Sequence, residues 1–173
     1  SFCKDGWAAY NRGDYEEAVG EFNKAYNRYL CTNCLDNLNM ARDALKKQIA
    51  TNQAEIYNKE ALKLINENKY EEAADKLQQA IETCPSERID SLNTYKNNTA
   101  ECYFELGNKV NNQKKYAEAK EYYSKAYQKC TGGYKNEAKF KENLEKASKD
   151  IKNAEASEIN RSGLTAWKES NYE

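Results

Sequence analysis

The strongest constraint in this sequence is that it repeats itself. Gly13 to Tyr26 reads GDYEEAVGEFNKAY, Asn68 to Ile81 reads NKYEEAADKLQQAI, and Lys114 to Tyr127 reads KKYAEAKEYYSKAY. Aligned on Tyr15, Tyr70 and Tyr116, each stretch has an alanine three residues on (Ala18, Ala73, Ala119) and a bulky residue four further (Phe22, Leu77, Tyr123). A second alanine follows at Ala25, Ala80 and Ala126. Steps of three and four place these side chains on one face of an α-helix. The alanines admit a neighbouring helix closely and the bulky residue fills the space between. This is a packing code, and it predicts an all-α array of stacked units.

The residues before each signature extend the pattern. Gly6, Ala61, Gly107 and Gly163 stand nine positions ahead of Tyr15, Tyr70, Tyr116 and Tyr172. The alternation of small and large residues resembles the tetratricopeptide repeat, with these small residues falling on its first helix and the tyrosine-led segments on its second. Pro85, after Thr83 and Cys84, sits where that family ends a helix. The resemblance implies an antiparallel helix-hairpin solenoid of three full repeats and a partial fourth. The chain reads as one such array, with repeats at about 1–34, 35–85, 86–133 and 134–173.

One departure from the family matters. The anchoring tyrosines lie 55, 46 and 56 residues apart, against roughly 34 in the ordinary repeat. The added residues keep helical periodicity. Phe140, Leu144, Ala147, Ile151 and Ala154 step by four and three; Ile89, Leu92, Thr99, Tyr103, Leu106 and Val110 form a similar stripe, as do Leu38, Leu45, Ile49 and Ile56. The inserts therefore read as extensions of the first helices. Helices near 35–67, 86–112 and 134–168 would alternate with short ones near 15–29, 70–83 and 116–129, the long ones reaching roughly 40 to 50 Å. An extra short helix in each repeat is the alternative. Ser86 is the expected N-cap after Pro85, and Gly132-Gly133 marks a break.

The six cysteines bear on compartment. Cys3 and Cys31 are 28 residues apart, as are Cys102 and Cys130, and each pair straddles one hairpin. Disulfides Cys3–Cys31 and Cys102–Cys130 are expected from that spacing, with Cys34–Cys84 by elimination. They would imply an oxidising, extracellular setting. Thiols packed in a helical core, in a cytoplasmic protein, are the alternative. The Cys31-Thr32-Asn33-Cys34 spacing has no second pair and no histidine beside it, so no metal site is expected. The sequons Asn97-Asn98-Thr99 and Asn160-Arg161-Ser162 offer Asn97 and Asn160 as N-glycan acceptors in a secreted chain. Tyr122, Tyr127 and Tyr134 serve either core packing or a partner surface.

Charge narrows the function further. With 27 basic against 28 acidic residues there is no footprint for nucleic acid, and no stretch is apolar enough for membrane insertion. The sequence has no histidine, so a serine or cysteine nucleophile lacks its usual base, and the acids lie on amphipathic faces. Glu16-Glu17 and Glu71-Glu72 open short helices, where they favour the dipole. A non-enzymatic role without cofactor is expected.

Two roles remain. One is a structural, self-assembling repeat protein in an extracellular fibre or matrix; the other is an intracellular adaptor that binds a peptide in its groove. The resemblance supplies a test. The family's carboxylate clamp uses Lys and Asn on first helices, and the matching positions here hold Cys3 and Trp7, Asn58 and Leu62, then Phe104 and Asn108. The clamp is absent. Phe2 and Trp7 lie in the opening helix, while Leu164, Ala166 and Trp167 lie on a first helix whose partner does not follow, and no polar cap is visible at either place. These five residues are the expected assembly interface with a second copy or with flanking repeats. A domain that is monomeric in use remains the alternative.

Overall fold

The computed structural model describes residues 1–30 and 32–170. Those residues form seven α-helices and no strand: α1 (Phe2–Arg12), α2 (Tyr15–Tyr29), α3 (Thr32–Asn66), α4 (Tyr70–Thr83), α5 (Ile89–Asn112), α6 (Tyr116–Lys129) and α7 (Glu137–Ser170). The three short helices expected from the signatures are present with the same limits. The long helices α3, α5 and α7 are each continuous, so the added residues lie within them and form no extra helix among the described residues.

The turn ahead of each signature has one geometry. Gly13, Asn68 and Lys114 each precede their tyrosine by two residues and adopt φ of 79°, 59° and 61°. The next amide in each case reaches back five residues: Asp14 N–H to Ala9, Lys69 to Leu64 and Lys115 to Val110, at 2.9 to 3.1 Å. This left-handed C-terminal turn satisfies carbonyls that would otherwise end the first helix unpaired. Glycine enters that region without strain, asparagine at modest cost, and lysine against its preference. Asp14 then caps α2 by accepting from Glu17 N–H at 3.2 Å, and Arg12 meets the Glu17 carboxylate at 2.7 Å.

The described chain divides into two compact units. The first comprises residues 1–55 and 83–87. Its core gathers Ala9 from α1, Ala18 and Phe22 from α2, and Leu38 and Ala41 from α3, with Tyr10, Val19 and Tyr26 around it. Lys47 pairs with Glu87. Ser86 does not cap α5, correcting the expectation: the helix starts at Ile89, and Arg88 at its N-cap makes no side-chain capping bond.

The second unit comprises residues 56–82 and those from Arg88 onward. Its core holds Ala100, Phe104 and Val110 of α5, Ala119, Tyr123 and Ala126 of α6, and Phe140 and Ala147 of α7. Phe104 stands between Tyr123 and Phe140, with ring centroids 5.5 and 5.1 Å away. The α6–α7 connection breaks at Gly133, φ 78°, as the paired glycines predict. It is pinned to α5 at two levels one turn apart. Thr131 donates its N–H (2.9 Å) and hydroxyl (3.0 Å) to Asn97 Oδ1. Tyr134 (2.9 Å) and Asn136 both donate to Glu101 Oε1.

Candidate assembly interface

Gly6 on α1 and Gly107 on α5 each seat an aromatic ring. A Cβ on Gly6 would lie 2.7 Å from the ring of Phe22, and one on Gly107 would lie 2.6 Å from that of Tyr123. Each ring comes from sixteen residues further on. In α1 the seat is flanked by Trp7, which meets Phe22 edge to face at 5.6 Å. Tyr10 packs on Trp7 and Tyr15 in the same manner. In α5 the Tyr123 hydroxyl also donates to Asn108 Oδ1 at 3.0 Å.

Gly163 is the third glycine of this series, and its seat is empty among the described residues. Nothing lies within 4 Å of a Cβ placed there. The first half of α7 buries Phe140 and Ala147, whereas every residue from Lys152 to Ser170 is exposed. Ile159, Leu164 and Trp167 are 71, 61 and 64 % exposed, and Ala166 is exposed with them. The apolar stripe read from the sequence therefore stops being buried after Ile151, and Ala154 faces solvent. Of the five interface residues expected from the sequence, Leu164, Ala166 and Trp167 share this bare helix. Trp7 is 38 % exposed, and Phe2 is half-buried with the Arg28 guanidinium 5.9 Å from its ring centre. Ile159, one turn before Gly163, was not singled out from the sequence because it falls at the edge of the repeat signature.

The expected disulfides are not the ones found. Cys3, Cys84, Cys102 and Cys130 are thiols outside any disulfide. Cys31, the expected partner of Cys3, lies outside the described residues. Cys34 is disulfide-bonded, but not to Cys84. Register explains why Cys102 and Cys130 do not pair. Thr131 is level with Asn97, so Cys130 comes level with a residue four positions before Cys102, an offset of about 6 Å along the helix. The two also face different neighbours. Cys102 lies within electrostatic reach of Tyr70 on α4, whereas Cys130 Sγ donates to Tyr127 O at 3.1 Å and feels Glu137 at the start of α7.

The thiols of α5 and α6 are not poised for chemistry. Burial pushes Cys102 up to about 12, and the Glu101 carboxylate adds to the effect. Burial, then Glu137, raises Cys130 as well. A thiolate nucleophile or ligand needs the opposite shift. Burial, then the hydrogen bond to Glu101, likewise raises Tyr134 to about 12. Among the described residues no group of His, Cys, Asp and Glu is arranged to hold a metal, and no helix is long and apolar enough to cross a membrane.

The two sequons differ in access. Asn97 is half-buried and its carbonyl is taken up by Thr131, while Asn160 stands exposed on the bare part of α7. Tyr122, Tyr127 and Tyr134 are half-buried against the second core, so packing accounts for them. No protein-family model matches this sequence, and comparison with curated proteins finds no relative.

Proposed function

We propose that this chain is a tetratricopeptide-like helical solenoid with a non-enzymatic, structural role, and that it associates with further copies of itself. The observation that carries the assembly reading is the bare half of α7. It repeats the small-residue code of α1 and α5, and among the described residues nothing lies within 4 Å of a Cβ placed on Gly163 while Ile159 and Leu164 are exposed. The repeat reading draws support from the shared turn at Gly13, Asn68 and Lys114 and from the ring seats at Gly6 and Gly107. An apolar helix face exposed over several turns favours association, because burying it removes that surface from water. A contact between two different surfaces of one chain propagates into a fibre when it does not close into a ring.

The setting we propose is extracellular. The bonded Cys34 suits an oxidising compartment, and Asn160 offers an accessible glycan acceptor there.

Light scattering across a concentration series, with negative-stain microscopy of the same samples, tests the assembly reading. The expected result is a molecular mass that grows with concentration and elongated particles. Trp167→Glu should hold the chain monomeric with its helicity unchanged. A wild-type chain that stays monomeric at high concentration overturns the reading.

A further inference from the structure

Counting the cysteines identifies the partner of Cys34. The chain has six. Cys3, Cys84, Cys102 and Cys130 are thiols outside any disulfide, whereas Cys34 is disulfide-bonded. Cys31, which lies outside the described residues, is the one partner that remains. The bond therefore joins the two ends of Cys31-Thr32-Asn33-Cys34, a C-x-x-C sequence. Thr32, Asn33 and Cys34 are the first three residues of α3.

We propose that this pair is a thiol–disulfide exchange site, which oxidises low-molecular-weight thiols, and that it is not a staple of the fold. Loop size argues against a staple. A bond that closes over two intervening residues constrains the unfolded chain little. The core of this unit draws on α3 through Leu38 and Ala41, one and two turns beyond Cys34, where they meet Ala9, Ala18 and Phe22. The start of α3 supplies the chemistry. Its first N–H groups have no intrahelical acceptor and carry partial positive charge, and no acidic residue stands in the first turn to offset them. Such a place favours thiolates. A disulfide whose reduced form is stabilised in this way is a stronger oxidant than an ordinary one. Access is uneven across the site, because Cys34 is 4 % exposed and Leu30 is 75 % exposed, with Thr32 and Asn33 exposed as well.

Burial of Cys34 sets the order of the steps. A small thiolate attacks Sγ of Cys31, and as the new S–S bond forms the Cys31–Cys34 bond breaks. The electron pair passes to Sγ of Cys34, where the start of α3 stabilises the leaving thiolate. A second small thiolate then attacks the first one's sulfur in the mixed disulfide and releases Cys31. Each cysteine thiolate takes up a proton given up by an incoming thiol. One protein disulfide and two small thiols thus become two protein thiols and one small disulfide, a transfer of two electrons to the chain. In an oxidising compartment the bonded form is the resting one. This site is separate from the assembly reading and does not depend on it.

The test equilibrates the full chain in glutathione buffers of rising reduced fraction, quenches in acid, alkylates the thiols and maps the peptides. Cleavage after Arg28 and Arg42 releases residues 29–42, which hold Cys31 and Cys34 and no other cysteine. Before reduction this peptide should be unlabelled and lighter by two hydrogens than its dithiol form. In millimolar reduced glutathione it should take two labels while the circular dichroism of the chain stays unchanged. With oxidised glutathione, Cys34→Ser should form a mixed disulfide at Cys31, and Cys31→Ser should form one at Cys34 about tenfold more slowly. A Cys34 peptide joined to another peptide, or fully labelled before reduction, overturns the pairing. A bond that resists excess reduced glutathione, or whose loss unfolds the chain, is a staple and overturns exchange. Equal uptake by the two variants overturns Cys31 as the attacked sulfur.

Discussion

Gly107 and Gly163 each stand nine positions ahead of a tyrosine, on long helices, and differ in whether a ring lies against them among the described residues. Around Gly107 the side chains of α5, α6 and α7 close over Tyr123, which is 2 % exposed. Around Gly163 the helix is bare. The difference shows that the small-residue code specifies where a helix is received and does not itself supply that helix. A seat that is filled contributes stability within the fold; a seat left open offers the same apolar area to something else.

The largest test of that contrast truncates the occupant. Tyr123→Ala should cost about 3 to 5 kcal/mol in urea unfolding, as for other large aromatic residues removed from a core, and it also leaves Asn108 without the Tyr123 hydroxyl. Trp167→Ala should change the stability of the dilute monomer by less than about 0.5 kcal/mol. A large loss at Trp167 would mean that the bare half of α7 is packed after all.

Alkaline pH probes the filled region specifically. The Cys102 thiol has a folded pKa of about 12 against 9.0 for the ordinary thiol. Its raised value means that the stability it contributes is complete below about pH 9 and is lost as pH climbs towards 12. From Cys102 alone, unfolding free energy should fall by roughly 2 to 3 kcal/mol between pH 8 and pH 11, and Cys102→Ala should remove that part of the slope. Urea melts at the two pH values measure it.

Adding one methyl group at each glycine should give effects of opposite sign. Gly107→Ala drives a Cβ into the Tyr123 ring and should destabilise by about 1 to 3 kcal/mol, despite the better helix propensity of alanine. Gly163→Ala meets nothing and should stabilise the monomer by up to about 1 kcal/mol. Thermal melts of dilute protein read both, and matching signs would erase the distinction between the two seats.

The smallest effect sharpens the turn that leads into the filled seat. Lys114 holds a left-handed conformation that glycine occupies at Gly13. Lys114→Gly should therefore stabilise by about 1 kcal/mol, while Gly13→Lys should destabilise by a similar amount.

The helices were legible in the sequence where local periodicity carries the information. The signatures at Tyr15, Tyr70 and Tyr116 gave the short helices with their limits, and the stepped apolar residues gave the long ones within about three residues at each end. The cysteine pairing was not legible. A spacing of 28 residues brings Cys102 and Cys130 to similar heights on a hairpin, but a one-turn offset and the side of the helix each faces decide whether sulfurs meet, and both depend on tertiary packing. Ser86 failed as a cap for a related reason: α5 starts three residues later, at Ile89, where no side chain caps it. In the candidate interface, Leu164 and Trp167 were readable as repeat residues. The bareness of Ile159 and Ala154 was not, because an apolar stripe in a sequence does not reveal where its covering ends.

The two clamps that hold the α6–α7 connection to Asn97 and Glu101 give α7 a fulcrum. From Lys152 to Ser170 the helix is exposed, a stretch of about 28 Å. A tilt of about 5° at the clamps, about 50 Å of helix from Ser170, would swing that end through roughly 4.4 Å, close to the rise of a helical turn. The direction of the end of α7 is therefore set by Thr131, Tyr134 and Asn136, which lie far along the chain from it.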